Sequence, residues 1–435
     1  MRDAGEPVWC TREGDKTMPT IPKPLFAAVL ACAAMPGLAG QAGDYATGQA
    51  LYADVRQYEK FGVHRFGTPG QNAALDWMAR RLKAAGFAIE EQRFTLERQY
   101  FLDKATLLAS GKTLSVVPQW WLPEHAARFA LTAPIAGEGD ATGKFIRLKI
   151  PYDQGAYLGA KQKDAIREAM RRRPAAVLLT IDHPSGEIFT YNVAQDDAPW
   201  PVPVILVAPK DEAALAVAEL RGEAVSLSVS GRYARNVEGR NLIARLDRGK
   251  ARTLVVSTPE SSWFTSSCER GPGIAAFLAT ARMAAGSLEN MNLVFVATTG
   301  HEVGHGGMEH FIKDKAPKPQ DVALWLHYGA SLACRGAGNA PDNGATRFLA
   351  YSASMKSHAE SAFRNVTAHR LVGDKAKVGE LRDIVGAGYP DVLGMAGLHP
   401  LFHTPIDNAR MTSPALLEPV VKAFLQTVRS VHDGQ

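Results

Sequence analysis

At 435 residues, with 46% hydrophobic and 21% charged side chains, the chain is long enough for two or three packed domains and too apolar to be disordered. Lys plus Arg exceed Asp plus Glu by 49 to 44, and the first 42 residues carry four of each sign, so the excess of five lies in the remainder. An excess this mild, whose tightest cluster is Arg171 to Arg173 at the end of a predicted helix, argues against a nucleic-acid binder, which concentrates basic charge on one face.

Residues 1–42 read as an export signal whose true start is Met18. Lys23 gives a positive region, Leu25 to Met35 an apolar run, and Pro36 to Ala42 a break rich in small residues. The run is half the length a bilayer span needs, and no later stretch is longer and as apolar, so no transmembrane helix is expected. The protein is therefore placed in the periplasm or outside the cell. Loss of this segment removes Cys10 and Cys32 and leaves Cys268 and Cys334.

Residues 43–124 open with two helical patterns, Tyr45 to Phe61 and Gln71 to Ala85. In the second, Leu75, Met78, Ala79, Leu82 and Ala85 share a face, Thr68-Pro69 starts it and Gly86 stops it. Strands follow at Phe87 to Phe94 and between Tyr100 and Val117. Residues 125–234 change character and predict an α/β insert: strands at Lys144 to Ile150, Ala175 to Thr180 and Val202 to Val207, and helices at Lys161 to Met170 and Asp211 to Leu220. Residues 235–435 repeat strand then helix, which predicts a doubly wound, mostly parallel sheet. Its strands are Asn241 to Leu246, Thr253 to Ser257, Asn292 to Ala297 and Val322 to Leu326. A helix striped by Ile274, Phe277, Leu278 and Ala281 intervenes, and a final helix runs from a Ser413 cap to Val431, with a kink expected at Pro419.

Loops at the carboxyl ends of parallel strands converge on one crevice, so polar residues just after the buried strands are the candidates for chemistry. These are Thr258, Pro259 and Glu260; Cys268, Glu269 and Arg270 before the striped helix; Gly300, His301 and Glu302; His327; and His403 in His403-Thr404-Pro405-Ile406-Asp407. Carboxylates and imidazoles in that arrangement suit zinc, which takes nitrogen and oxygen ligands.

Here the chain resembles the zinc aminopeptidase family with two neighbouring metals, the group of bacterial leucyl aminopeptidases and glutamate carboxypeptidase II. Arg65 to Gly70 resembles the family's opening segment, residues 125–234 its protease-associated insert, Asn241 to Ala244 the start of its catalytic sheet, and His403 to Asp407 its last ligand motif. The resemblance implies an exported zinc-dependent peptidase, an aminopeptidase-like exopeptidase acting on peptides. Its site is altered: Thr258 stands where the family has a histidine ligand, Glu260 and Glu269 where it has aspartates, His301 and Glu302 where it has paired glutamates, and His327 where it has an aspartate. The resemblance then implies one zinc rather than two, on Glu269, Glu302 and His403, with His301 as general base. A second ion would have only Glu269, His327 and Glu260.

Two competing readings remain. His301-Glu302-Val303-Gly304-His305 satisfies H-E-x-x-H, but Gly304, Gly306 and Gly307 weaken the helix that motif needs. The alternative function is a non-catalytic peptide- or glycan-binding protein in which the same polar residues satisfy one another. Cys268 and Cys334 lie near Glu269 and His327, so a disulfide bracing the crevice is the favoured pairing over buried thiols or zinc thiolates. Trp120, Trp121 and Trp263 are expected in the core or in a lid.

Overall fold

A computed structural model describes residues 44–336 and 346–434. The export-signal reading falls on residues 1–42, outside the described residues. In chain order the elements begin with helix α1 (Gly48–Glu59), helix α2 (Pro69–Ala84) and strands β1 (Ala88–Ala109), β2 (Lys112–Ser115), β3 (Val117–Pro118), β4 (Phe129–Pro134) and β5 (Phe145–Pro151). Next come α3 (Ala160–Arg171), β6 (Ala176–Asp182), β7 (Val204–Val207), α4 (Glu212–Arg221), β8 (Ala224–Leu246), β9 (Thr253–Pro259), α5 (Ser267–Ser287) and β10 (Asn292–Thr298). The last are α6 (Gly306–Asp314), β11 (Val322–Tyr328), β12 (Thr346–Tyr351), α7 (Lys356–Ala362), β13 (His369–Val372), α8 (Leu381–Gly386), β14 (Val392–Leu398) and α9 (Pro414–Asp433).

One large sheet runs in the order β13-β12-β14-β11-β9-β10-β8-β1-β2, with β4 paired to β8. Its centre, β14, β11, β9 and β10, is parallel. The parallel strands are buried on both faces, which is why they read in the sequence as unbroken apolar runs. Alternate side chains then serve different layers: Leu254 and Val256 of β9 pack with Phe277 and Phe295, while Val255 packs with Val294, Val296 and Trp325. Helix α5 is buried almost all round, between this sheet and α1, α2 and α9, so it has no polar face to show. Ser413 caps α9 by accepting from the Leu416 amide, and the helix continues through Pro419 to Asp433.

The second sheet, β3-β7-β6-β5, carries α3 and α4; β5, β6 and β7 lie in the region read as an insert and β3 lies before it. The sequence reading placed a boundary at 234 and separate strands at Phe87 to Phe94 and beyond Tyr100. The structure corrects the strands. β1 is one strand of 22 residues and β8 one of 23, and they pair antiparallel from Ala88 with Arg245 to Leu108 with Ser226. The start of the sheet at Asn241 is likewise not a strand start but the last part of β8, which pairs antiparallel with β10. β8 runs without a break across residue 234, and the described residues belong to one compact unit. Trp120, Trp121 and Trp263 lie in the core shared by the second sheet and these strands, all at most 2% exposed.

Candidate functional site

The parallel strands β9, β10, β11 and β14 deliver every candidate residue to one end of the sheet. There a cluster of ionisable groups lies away from water: Glu260, Glu269, Glu302 and Glu380 are 0% exposed, and Arg270, His327 and His403 are 1%.

The amino end of α5 is set by Asp407, whose carboxylate accepts from the amides of Cys268 (3.2 Å) and Glu269 (2.9 Å). A carboxylate there satisfies free helix amides and sits at the positive end of the helix dipole. His399 Nε2 lies 3.1 Å from Asp407 and its Nδ1 2.9 Å from Ser331 Oγ, while the Ser331 amide donates to the Glu269 carbonyl. Cys268 and Cys334 form a disulfide, Cα to Cα 5.9 Å, tying α5 to the loop after β11. These partners fix the turn from which Glu269 and Arg270 project.

Glu269 accepts from Ser262 Oγ at 2.8 Å. Its other oxygen, Oε1, lies 3.0 Å from Arg270 Nη2 and 3.5 Å from His403 Nε2. Burial alone would raise its pKa, but the Arg270 charge and His403 outweigh that and hold the carboxyl far below the usual carboxylate range. Glu302 is engaged on both oxygens, by the Phe66 amide at 2.6 Å and Ser261 Oγ at 2.7 Å. Ser261 Oγ in turn accepts from the amides of Gly300 and His301. Burial raises the Glu302 pKa and pushes that of Glu260 well above the usual range. Neither carboxylate oxygen of Glu260 has a hydrogen bond.

Arg270 is the residue whose role the sequence did not disclose. Its Nε donates to the Ser261 carbonyl at 2.9 Å, and its guanidinium is the buried positive charge of the cluster. Burial is the largest influence on Glu260, Glu269, Glu302, Glu380, His301 and His327, and Arg270 acts electrostatically on all six.

The histidines divide between two environments. His327 Nδ1 meets Ser257 Oγ at 2.8 Å, and Trp325 donates to the same oxygen. Burial lowers the His327 pKa to about 4, so the ring is neutral. Thr258 donates to the Tyr328 carbonyl and faces away from any ligand role. His301 Nδ1 lies 3.0 Å from Glu380 Oε1. Glu380, which also accepts from Thr298, escaped the sequence reading because it precedes α8, a helix too short to show a period. His305 Nδ1 is held by Asp383 at 2.8 Å. The His301 and His305 rings stack, 4.4 Å between centroids, and residues 301–303 make only a 3-10 turn before Gly304 and His305 turn left-handed. The H-E-x-x-H reading therefore lacks its helix. Gly307 is demanded by packing: a Cβ there would lie 2.3 Å from the Thr299 carbonyl oxygen.

The donor set can be tested against zinc. Among the described residues, the only Cys, His, Asp or Glu trio with ligand atoms all within 4.8 Å of one another is Cys268, Cys334 and His399, and both cysteines are spent in the disulfide. Glu269, Glu302 and His403 do not form such a trio, Glu302 is already bonded on both oxygens, and the Arg270 cation lies against Glu269. As arranged, Glu269, Glu302 and His403 are not drawn together as a three-ligand zinc set, although Glu260, Glu269 Oε1 and both His403 ring nitrogens are buried without hydrogen bonds.

No family model and no curated protein matches the chain. Solved structures do. A zinc aminopeptidase from Bacillus subtilis superposes with a TM-score of 0.66 at 16% identity, covering 88% of this chain and 95% of that one. A peptidase M28 precursor from Shewanella amazonensis gives 0.64 at 15% identity over 89% and 92%. An aminopeptidase from Aneurinibacillus sp. strain AM-1 gives 0.59 at 15% over 89% and 94%. The fold is that of these aminopeptidases. At such identity the likeness establishes the architecture, an α/β sheet with its crevice at the strand ends, and leaves the chemistry to this chain's own residues.

Within the aminopeptidase fold, the second-sheet region roofs the cluster. The Val193 amide donates to the Glu302 carbonyl at 3.1 Å and the Thr190 amide to the His403 carbonyl at 3.2 Å. Trp263 Nε1 donates to Asn192 Oδ1 at 2.8 Å, and Tyr157 Oη lies 3.3 Å from His305 Nε2. No described helix is long and apolar enough to cross a membrane.

Proposed function

We propose that the protein is an exported, metal-independent relative of the zinc aminopeptidases that binds peptides without hydrolysing them. The observation that carries this reading is Arg270: a buried guanidinium lies among Glu260, Glu269 and Glu302, and it supplies by salt bridge the positive charge a metal would bring. A buried cation paired with a carboxylate offsets part of the negative charge of the surrounding acidic groups, and a divalent ion beside it would meet like-charge repulsion. The region of residues 125–234 is read as a protease-associated insert that has become the roof of the closed crevice.

One observation favours a second reading, a single zinc with His301 as base. Glu269 Oε1 and both ring nitrogens of His403 have no hydrogen bond, and Oε1 and Nε2 are 3.5 Å apart. A panel of aminoacyl and dipeptide substrates separates the two. The metal-free reading expects no turnover with or without added zinc. Zinc-dependent turnover that disappears in Glu269→Gln would establish the peptidase instead.

A further inference from the structure

Beside the roof over the cluster lies a cavity of about 570 Å³ between α3 and the loop of residues 192–202. Pockets of roughly 300–1,000 Å³ hold small organic ligands. One wall is a face of α3: Lys163, Arg167, Met170 and Arg171 recur at helical spacing on the side away from Gln162, Ile166 and Ala169, which are buried. The opposite wall is apolar and built on Trp200 and its flanking prolines. Three cations therefore line the cavity against one acidic side chain, Asp197, whose contact with Lys163 is 3.5 Å. Arg167 and Arg171 pair only with exposed Asp164 and Glu168 of their own helix, pairings weak enough for a ligand carboxylate to displace.

At the inner end stands Asn192, 3% exposed, with Oδ1 held by Trp263 and Nδ2 unbonded. A buried amide donor without a partner is costly and calls for an acceptor from a ligand. We propose that this cavity binds the carboxyl-terminal residue of a peptide bearing an apolar side chain, its side chain against Trp200 and Met170 and its carboxylate between Arg167 and Lys163, with the preceding carbonyl accepting from Asn192 Nδ2. The peptide identity of the ligand rests on the function proposed above; the apolar carboxylate chemistry rests on the cavity alone.

Isothermal titration of the full mature chain with Ala-Ala-Phe, its carboxyl-terminal amide and 3-phenylpropionate tests it. The tripeptide acid should bind at least about tenfold more tightly than the amide, the difference expected for a charge-assisted hydrogen bond. Arg167→Glu should lose that preference, and Met170→Trp, which fills the cavity, should abolish binding; circular dichroism melting of both variants checks that they fold. Equal binding of acid and amide, retention in Met170→Trp, or no binding by any probe would overturn the pocket. Binding of 3-phenylpropionate as tight as the tripeptide would overturn the peptide ligand in favour of a free small acid. Zinc-dependent turnover with pocket binding intact would sink the metal-free reading and leave the pocket standing.

Discussion

The Arg270 cluster and the α3 cavity are both built from arginines and carboxylates, yet water makes them opposites. Arg270 and Glu269 are at most 1% exposed, and neither has solvent to fall back on. Arg167 and Asp164 have side chains 62% and 72% exposed. The first pair holds the fold together because removal of either partner strands a charge; the second pair costs almost nothing to separate and is therefore available to a ligand. Variants at the two places should consequently fail in different assays.

The largest effect is expected at Arg270. Arg270→Met should destabilise the chain by about 4 kcal/mol, since it leaves Glu269 buried without its cation, whereas Arg167→Met should change stability by less than about 1 kcal/mol. Urea unfolding of both variants checks the contrast, and equal losses would erase it. Next comes the Cys268–Cys334 disulfide, with a sequence separation of 66. Its loss in a double Ser variant should cost about 3 kcal/mol, and the α3 cavity should keep its ligand affinity. An unchanged urea midpoint would show that Asp407 and its partners hold the end of α5 without it.

A smaller effect concerns pH. Burial lowers the pKa of His64 to about 3, despite the bond from its ring to the Thr265 carbonyl, and its ring stacks on Tyr58 at 3.7 Å. Its folded pKa lies below the ordinary 6.5, so between about pH 3 and 6.5 the unfolded chain holds a proton that the folded one refuses. Stability should rise with pH across that window and be lost as pH falls, by about 1.4 kcal/mol per pH unit for each such group. His64→Gln should reduce the slope by one proton's worth; an identical slope at pH 5 and 6 would show that His64 titrates normally.

The same contrast explains what could be read in the sequence. Strands buried on both faces announce themselves: Thr253 to Ser257 became Thr253–Pro259, and Asn292 to Ala297 became Asn292–Thr298. The placement of Glu260, Glu269, Glu302, His327 and His403 at one end of the sheet followed from strand order. The long antiparallel strands were harder, because β1 mixes exposed and buried positions over 22 residues and crosses from one core to another. Arg270 stood in plain view beside Glu269, but a sequence does not say whether an arginine at a helix start turns outward to water or inward to carboxylates. Glu380 lay beyond reach for another reason, since its place beside His301 depends on packing between elements 79 positions apart. Ser261 and Ser262, which orient Glu302 and Glu269, were findable by extending the search past the end of β9 by three residues.

The central claim is that Arg270 stands in for metal charge, and metal analysis of the protein purified without zinc or an affinity tag tests it most directly. Mass spectrometry should find no stoichiometric zinc, and a chelator should leave the melting temperature unchanged. Stoichiometric zinc that survives gel filtration, disappears in Glu269→Gln and whose removal lowers the melting temperature would contradict the account.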